Sequence, residues 1–192
     1  LSYRGMVDEL NCNKLLRKRL GFKRTPPKST MWWHVYRLPI GLLDELVAFT
    51  AGTAAMATLV ADSSSYTYDR YGWVETAKGG RRERLTVKHH VLLTVDGCVA
   101  ASAVTDGDRD DSPILLKMTG TVPTGSGYLL ADAKYCCKEN CREALRIGRL
   151  PCIRPPKNHT GHGLDAWARM VKWERGKPGS FYKKYGMRNL VE

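Results

Sequence analysis

No stretch of this chain approaches the ~20 consecutive apolar residues that a bilayer-spanning helix needs, so a transmembrane helix is excluded. No positively charged, apolar leader of the secretory type opens it either, which points to a reducing, cytoplasmic setting. Acidic residues are scarce. Asp and Glu number 19 against 31 Lys and Arg, a net charge of +12, and the isoelectric point is near 9.6. That imbalance favours a polyanionic partner, a basic surface kept for solubility and a ribosome-type binder being the alternatives. What is present in quantity is core material: 43% of the 192 residues are hydrophobic, enough for one domain and a small accessory segment.

Six cysteines stand at positions 12, 98, 136, 137, 141 and 152, and a cytosolic chain of this size has no need of disulfide staples. Cys136, Cys137, Cys141 and Cys152 with His159 and His162 are of zinc-ligand type. However, Cys137, Cys141 and Leu145 follow i, i+4, i+8, the apolar stripe of a core helix, and free thiols are expected. The acid-rich stretch Asp106–Asp111 resembles a calcium loop only in composition, because its twelfth position is Lys117 where a bidentate Glu is required.

Periodicity divides the chain. Residues 1–21 predict a basic helix, with Leu16 and Leu20 on one face and Gly21 as its C′ stop. Residues 22–30, with Pro26-Pro27, predict a loop, and Trp32, Trp33 and Tyr36 lead to a second helix from about Pro39 with Leu42, Leu46 and Phe49 as its apolar stripe. The aromatic group is expected to pack these helices together, base stacking being the alternative. Two basic clusters stand out: Lys14–Lys28, and Lys78, Arg81, Arg82, Arg84 and Lys88. The boundaries expected are a helical, basic, DNA-binding segment over 1–50 and a catalytic domain over 57–192.

From Ala57 the period becomes that of strands. Thr58–Asp62 and Leu85–Val95 are strands, and Asp96-Gly97 is a hairpin turn into Cys98–Val104. Ser112 as N-cap and Pro113 at N1 predict a helix. Tyr128–Asp132 is a strand, 138–146 a helix stopped by Gly148, and Cys152–Arg154 a strand ended by Pro155-Pro156. Helices follow, the last capped by Ser180 and running to the end. Three antiparallel strands, then helix, strand, helix, strand is the order of a ribonuclease-H-like α/β fold: a mixed sheet of about five strands flanked by helices, with a small helical N-terminal segment. That order makes the first and fourth strands neighbours.

Val60-Ala61-Asp62 and Leu130-Ala131-Asp132 are matched apolar runs, each ending on an Asp, and a buried strand does not tolerate an unpaired carboxylate. Each Asp alone suits a turn or cap. As neighbours, the two suit Mg²⁺ or Mn²⁺, hard ions that take oxygen ligands. Glu192 is a third acid. Tyr185, Arg188 and Glu192 lie at i, i+3 and i+7 of the expected last helix, a spacing that equally suits a solvated helix with Arg188 paired to Glu192.

Tyr185-x2-Arg188-x3-Glu192 resembles the Tyr-Arg-Glu-Lys signature of prokaryotic insertion-sequence transposases of the DDE class. Val60–Ser64 resembles their first catalytic block, Thr105-Asp106-Gly107 with Asp111-Ser112 the turn after strand three, and Leu130–Tyr135 the second block. The resemblance implies Asp62, Asp132 and Glu192 as a metal-binding catalytic triad for Mg²⁺ or Mn²⁺. It implies DNA contacts for Tyr185 and Arg188 near the scissile phosphate and N-terminal helices that bind terminal inverted repeats; Lys78, Arg81, Arg82, Arg84 and Lys88 are expected by their charge to hold the DNA backbone. The implied reaction is hydrolysis at an element end, after which the freed 3′-hydroxyl attacks target DNA. Double-stranded DNA is the implied partner, a homodimer the implied assembly, and a nucleoid-associated cytoplasm the setting.

The chain departs from the signature in having no Lys seven residues past Glu192, Asp110 where a His commonly precedes Asp-Ser, and the pair Cys136-Cys137. The expectation is therefore a piece of a longer product. Inactive DNA-binding remnants and simple nucleases on the same fold are the alternatives.

Overall fold

The computed structural model describes residues 3–67, 73–75, 82–84, 86–157, 159 and 161–190. The chain divides into two units, Leu1–Glu45 and Leu46–Glu192.

The first unit is helical. The single basic helix expected over 1–21 is two helices, α1 (Tyr3–Cys12) and α2 (Lys14–Arg19). The break is Asn13, whose side chain accepts the Leu16 N–H at 2.9 Å and so caps α2. Gly21 ends α2 as expected: at φ +75° it lets its own N–H reach Lys18 O and the Phe22 N–H reach Arg17 O, a complete Schellman motif. The loop expected over 22–30 is shorter than that, since α3 (Lys28–Tyr36) opens one residue after Pro27. Trp32 and Trp33 ride on α3 and stay about half exposed, contrary to their expected packing role. Arg37 lies 3.8 Å over the Trp33 ring. The stripe expected on α4 (Ile40–Thr53) is likewise exposed, Phe49 at 78%.

The second unit is built on a five-stranded sheet. Its strands are β1 (Leu59–Thr67), β4 (Thr86–Thr94), β5 (Val99–Asp106), β6 (Tyr128–Ala131) and β7 (Leu150–Ile153), and a small separate hairpin joins β2 (Trp73–Glu75) to β3 (Arg82–Arg84). The sheet order is β5-β4-β1-β6-β7, with β1 antiparallel to β4 and parallel to β6. This is the ribonuclease-H-like arrangement read from the element order. Asp96-Gly97 makes the β4–β5 turn as expected, Gly97 at φ +83° donating to Thr94 O. The helices are α5 (Asp111–Thr119), α6 (Lys138–Arg146), α7 (Ala166–Gly176) and α8 (Pro178–Tyr185).

Three boundaries depart from the sequence reading for local reasons. The helix α5 begins at Asp111 with Asp110 in the N-cap position, so Ser112 lies inside the first turn and turns its hydroxyl to Cys137 Sγ at 3.0 Å. Pro178 rather than Ser180 opens α8, as a proline at N1 can. The final helix does not run through: α8 stops at Gly186, and a 3₁₀ turn, Gly186–Leu190, continues. Tyr185 and Arg188 therefore do not share one α-helical face.

Leu59, Val60, Ala61, Leu129, Leu130, Ala131 and Leu92 are buried at the centre of the sheet, and Cys141 and Ala144 of α6 close over it. Arg149 lies at the opposite end of the β1–β6 pair from the two aspartates and is fully buried. Its guanidinium donates to four carbonyls: Ala54 O at 2.5 Å, Pro123 O at 3.2 Å, and Ala57 O and Ile147 O at 3.3 Å. Backbone is packed tightly around it. A Cβ on Gly125 would meet Ala55 O at 1.7 Å, and one on Gly148 would meet Gly125 O at 2.1 Å. Replacing Arg149 with Met keeps the stem and orphans Pro123 O and Ala57 O, while Ala54 O and Ile147 O keep the Ala57 and Gly125 N–H groups, so we expect a loss of about 3–5 kcal/mol in urea unfolding followed by tryptophan fluorescence. An unchanged midpoint would refute the clamp.

Candidate catalytic site

β1 and β6 run parallel, with Leu59 beside Leu129 and Val60 beside Leu130. The same offset brings Asp62 level with Asp132. β6 ends at Ala131 while β1 continues to Thr67, so the β6 side of β1 is open from Asp62 onward. Asp62 is thus in mid-strand, not at a strand end as its sequence context suggested. The strand end that frees its carboxylate belongs to β6.

Asp132 leaves β6 in extended conformation and caps the 3₁₀ turn Ala133–Tyr135, its Oδ1 accepting the Lys134 N–H at 2.9 Å. That turn carries Tyr135 back into the core, where it is fully buried. The Tyr135 hydroxyl feels the charges of Asp111, Asp132 and Asp62. Burial first of all, and these carboxylates with it, push its pKa up, while the Ser63 side chain opposes them. β7 extends the row: Ala131 pairs Ile153, and the next residue, Arg154, whose side chain is exposed, donates its N–H to Ala131 O.

Arg188, from the 3₁₀ turn after α8, places Nη2 2.8 Å from Asp62 Oδ1. Burial works against its charge, but the hydrogen bond to Asp62 and the neighbouring Tyr185 outweigh it, and its pKa is raised. Tyr185 is partly buried and stacks on Phe181, with ring centres 6.2 Å apart. Glu192, Lys78 and Arg81 lie outside the described residues. Arg82 and Arg84 belong to β3, where their backbones pair with Glu75 and Trp73. Lys88 is engaged within the protein: its Nζ lies 3.1 Å from Asp111 Oδ1 and donates to Arg109 O at 2.9 Å. Its side chain is only 12% exposed.

Asp111 went unnoticed as a site residue in the sequence, where it appeared only as part of a turn. It is 3% exposed. Besides Lys88, its Oδ2 accepts from Ser63 Oγ at 3.2 Å, and its Oδ1 lies 3.6 Å from His90 Nδ1. The available signal was the alternation on β4: Lys88 and His90 share a face with Ser63 across the strand pair, and two basic groups on a buried face call for an acid.

Among the described residues, no group of three or more His, Cys, Asp or Glu is gathered to hold a metal. The cysteines are free thiols. No helix among the described residues is long and apolar enough to cross a membrane. As oxygen-only donors, Asp62 in mid-β1 and Asp132 just past the end of β6 fit a hard divalent ion.

His90 supplies a pH test. Burial lowers its pKa below the usual 6.5, with Lys88 and His89 acting the same way and Asp111 opposing. Between those values the unfolded chain takes the extra proton, so stability is complete above pH 6.5 and falls as the pH drops through the window. Chemical unfolding from pH 7.5 to 5 should show that decline, and His90→Gln, which can still meet Thr105, should flatten it. A decline of equal slope in the variant would remove His90 as its cause.

A family model described as "Transposase DDE domain" matches residues 54–191. Comparisons with curated proteins and with solved structures gave no significant match.

Proposed function

The chain belongs to the family of transposase DDE domains, and from that premise we propose that it cuts a DNA strand at an element end and transfers the freed 3′-hydroxyl to target DNA. The observation that carries this reading is the pair Asp62 and Asp132, level across β1 and β6, with Arg188 on Asp62. These two carboxylates would hold Mg²⁺ or Mn²⁺, with Glu192, two residues past Leu190, as the third acid. The ion, when bound, supplies stabilisation of the charge that builds on the phosphoryl oxygens during in-line displacement.

The protein's own groups supply the rest. Arg188 neutralises Asp62 in the free protein and can present its guanidinium fork to a phosphate. Tyr185, anchored on Phe181, steadies Arg188. Arg154 and Lys134 place positive charge on the other side of Asp132, where a DNA strand crossing the sheet end would run. Lys78, Arg81, Arg82 and Arg84 extend the phosphate contacts beyond the sheet, and the basic helices of the first unit bind duplex flanking the cut. Lys88 differs from them, since its charge is already committed to Asp111. Pairing two element ends calls for two copies of the chain.

The Arg188–Asp62 ion pair also suits a second reading, a DNA-binding relic whose carboxylate is permanently neutralised. One experiment separates the readings. Incubated with a labelled duplex carrying an element end and Mn²⁺, the chain should yield a nicked strand and joined products. Asp62→Asn and Asp132→Asn should each reduce both to background while retaining DNA binding. Nicked product without joining would mark a nuclease; binding without either would mark the relic. Binding itself should weaken steeply with salt, and neutralising Arg82 or Arg84 should each reduce the log–log slope by about one.

A further inference from the structure

We infer that Asp111 is a positioning residue for the carboxylate pair: a buried charge clamped by Lys88 that sets, through Ser63, where the open half of β1 holds Asp62. The inference rests on the reading of Asp62 and Asp132 as metal ligands. A carboxylate at 3% exposure is costly to keep, and helix capping does not account for it. Asp110 occupies the N-cap position of α5 and makes no side-chain cap bond, so the acid that faces solvent is idle while the next one is turned inward.

What Asp111 reaches is informative. Its Oδ2 takes the Ser63 hydroxyl at 3.2 Å, and its Oδ1 takes the Lys88 ammonium at 3.1 Å. It thereby ties α5 to β1 and β4 together. Lys88 continues the tie into the loop before α5 through Arg109 O at 2.9 Å. From Asp62 on, β1 has a hydrogen-bonded neighbour only on its β4 side. Ser63 follows Asp62 in that unsupported stretch, so holding Ser63 from one face of the sheet fixes the peptide that presents Asp62 on the other.

Tyr135, fully buried at the end of the turn that Asp132 caps, lies within the field of Asp111, Asp132 and Asp62. Groups that orient ligands from behind, without touching the ion, typically change its affinity 10- to 100-fold when removed.

The test is Mn²⁺ binding to the whole chain without DNA, by calorimetry, alongside thermal unfolding. Asp62→Asn, as reference, should abolish the Mn²⁺ heat. Asp111→Asn should weaken binding about 10- to 100-fold, and Ser63→Ala, which cuts only the link to β1, should weaken it in the same direction by a smaller factor. Removing the pair together, Lys88→Met with Asp111→Asn, leaves the local net charge unchanged and avoids stranding one buried charge. Continued weak binding in that folded double variant would establish placement rather than field as the cause. Wild-type affinity in the double variant and in Ser63→Ala, with Asp62→Asn inactive, would overturn the inference and leave Asp111 a stabilising residue alone. If Asp62→Asn itself binds Mn²⁺ normally, the carboxylate-pair reading falls, and this inference with it.

Discussion

A guanidinium surrounded by carbonyl oxygens, with no carboxylate among its hydrogen-bond partners, holds one end of the sheet so that the other end can be left open. Arg149 collects Ala54 and Ala57 from the approach to β1, Pro123 from the approach to β6, and Ile147 from the α6–β7 turn. Four carbonyls, of which Ala54 O and Ile147 O also accept the Ala57 and Gly125 N–H groups, become the counter-dipole for one cation. Burial lowers its pKa but cannot discharge an arginine at any ordinary pH. The parallel contact of β1 with β6 spans two residue pairs, too short to fix register by ladder hydrogen bonds alone. The clamp sets the starting level of both strands, and the level of Asp62 with Asp132 follows from it.

At the open end the problem is reversed. Two carboxylates brought level repel each other, and each is compensated separately. Asp62 receives Arg188 from one face of the sheet, and Asp132 turns an oxygen to the Lys134 N–H. On the opposite face Asp111 receives Lys88. The first pair is partly solvated and exchangeable; the second is nearly dry, and losing one of its members leaves the other stranded.

Much of this was legible in the sequence, and for identifiable reasons. Apolar runs bounded by turn signals marked the central strands, Asp96-Gly97 marked the hairpin, and Gly21 and Gly148 marked helix ends because only glycine takes their positive φ without strain. Element order then made Asp62 and Asp132 neighbours. The misses have two causes. Asn13 breaks the first helix by a local cap, its side chain taking the Leu16 N–H; Arg149 and Asp111 have partners distant in sequence. Arg149 carried no local signal, because nothing nearby reveals four carbonyls contributed by segments up to 95 residues away. Asp111 was hidden in a run of acids that all looked solvated, and only the β4 alternation, with Lys88 and His90 on one face, marked one of them as inward.

The break at Gly186 separates Arg188 from Tyr185. Had α8 continued, Arg188 would lie about 100° of helical turn per residue from Tyr185, stacked one turn along the same face. The 3₁₀ turn instead advances about 2.0 Å per residue, and it delivers Arg188 to Asp62 while Tyr185 stays packed on Phe181. The anchor and the charge are thereby assigned to different elements. Tyr185 belongs to the hydrophobic core through α8, and Arg188 belongs to the site through the turn. A cation that reaches its carboxylate on a short turn can move aside without unpacking the aromatic core behind it. That separation leaves the counterion of Asp62 on an element of its own, apart from the sheet and from the aromatic core.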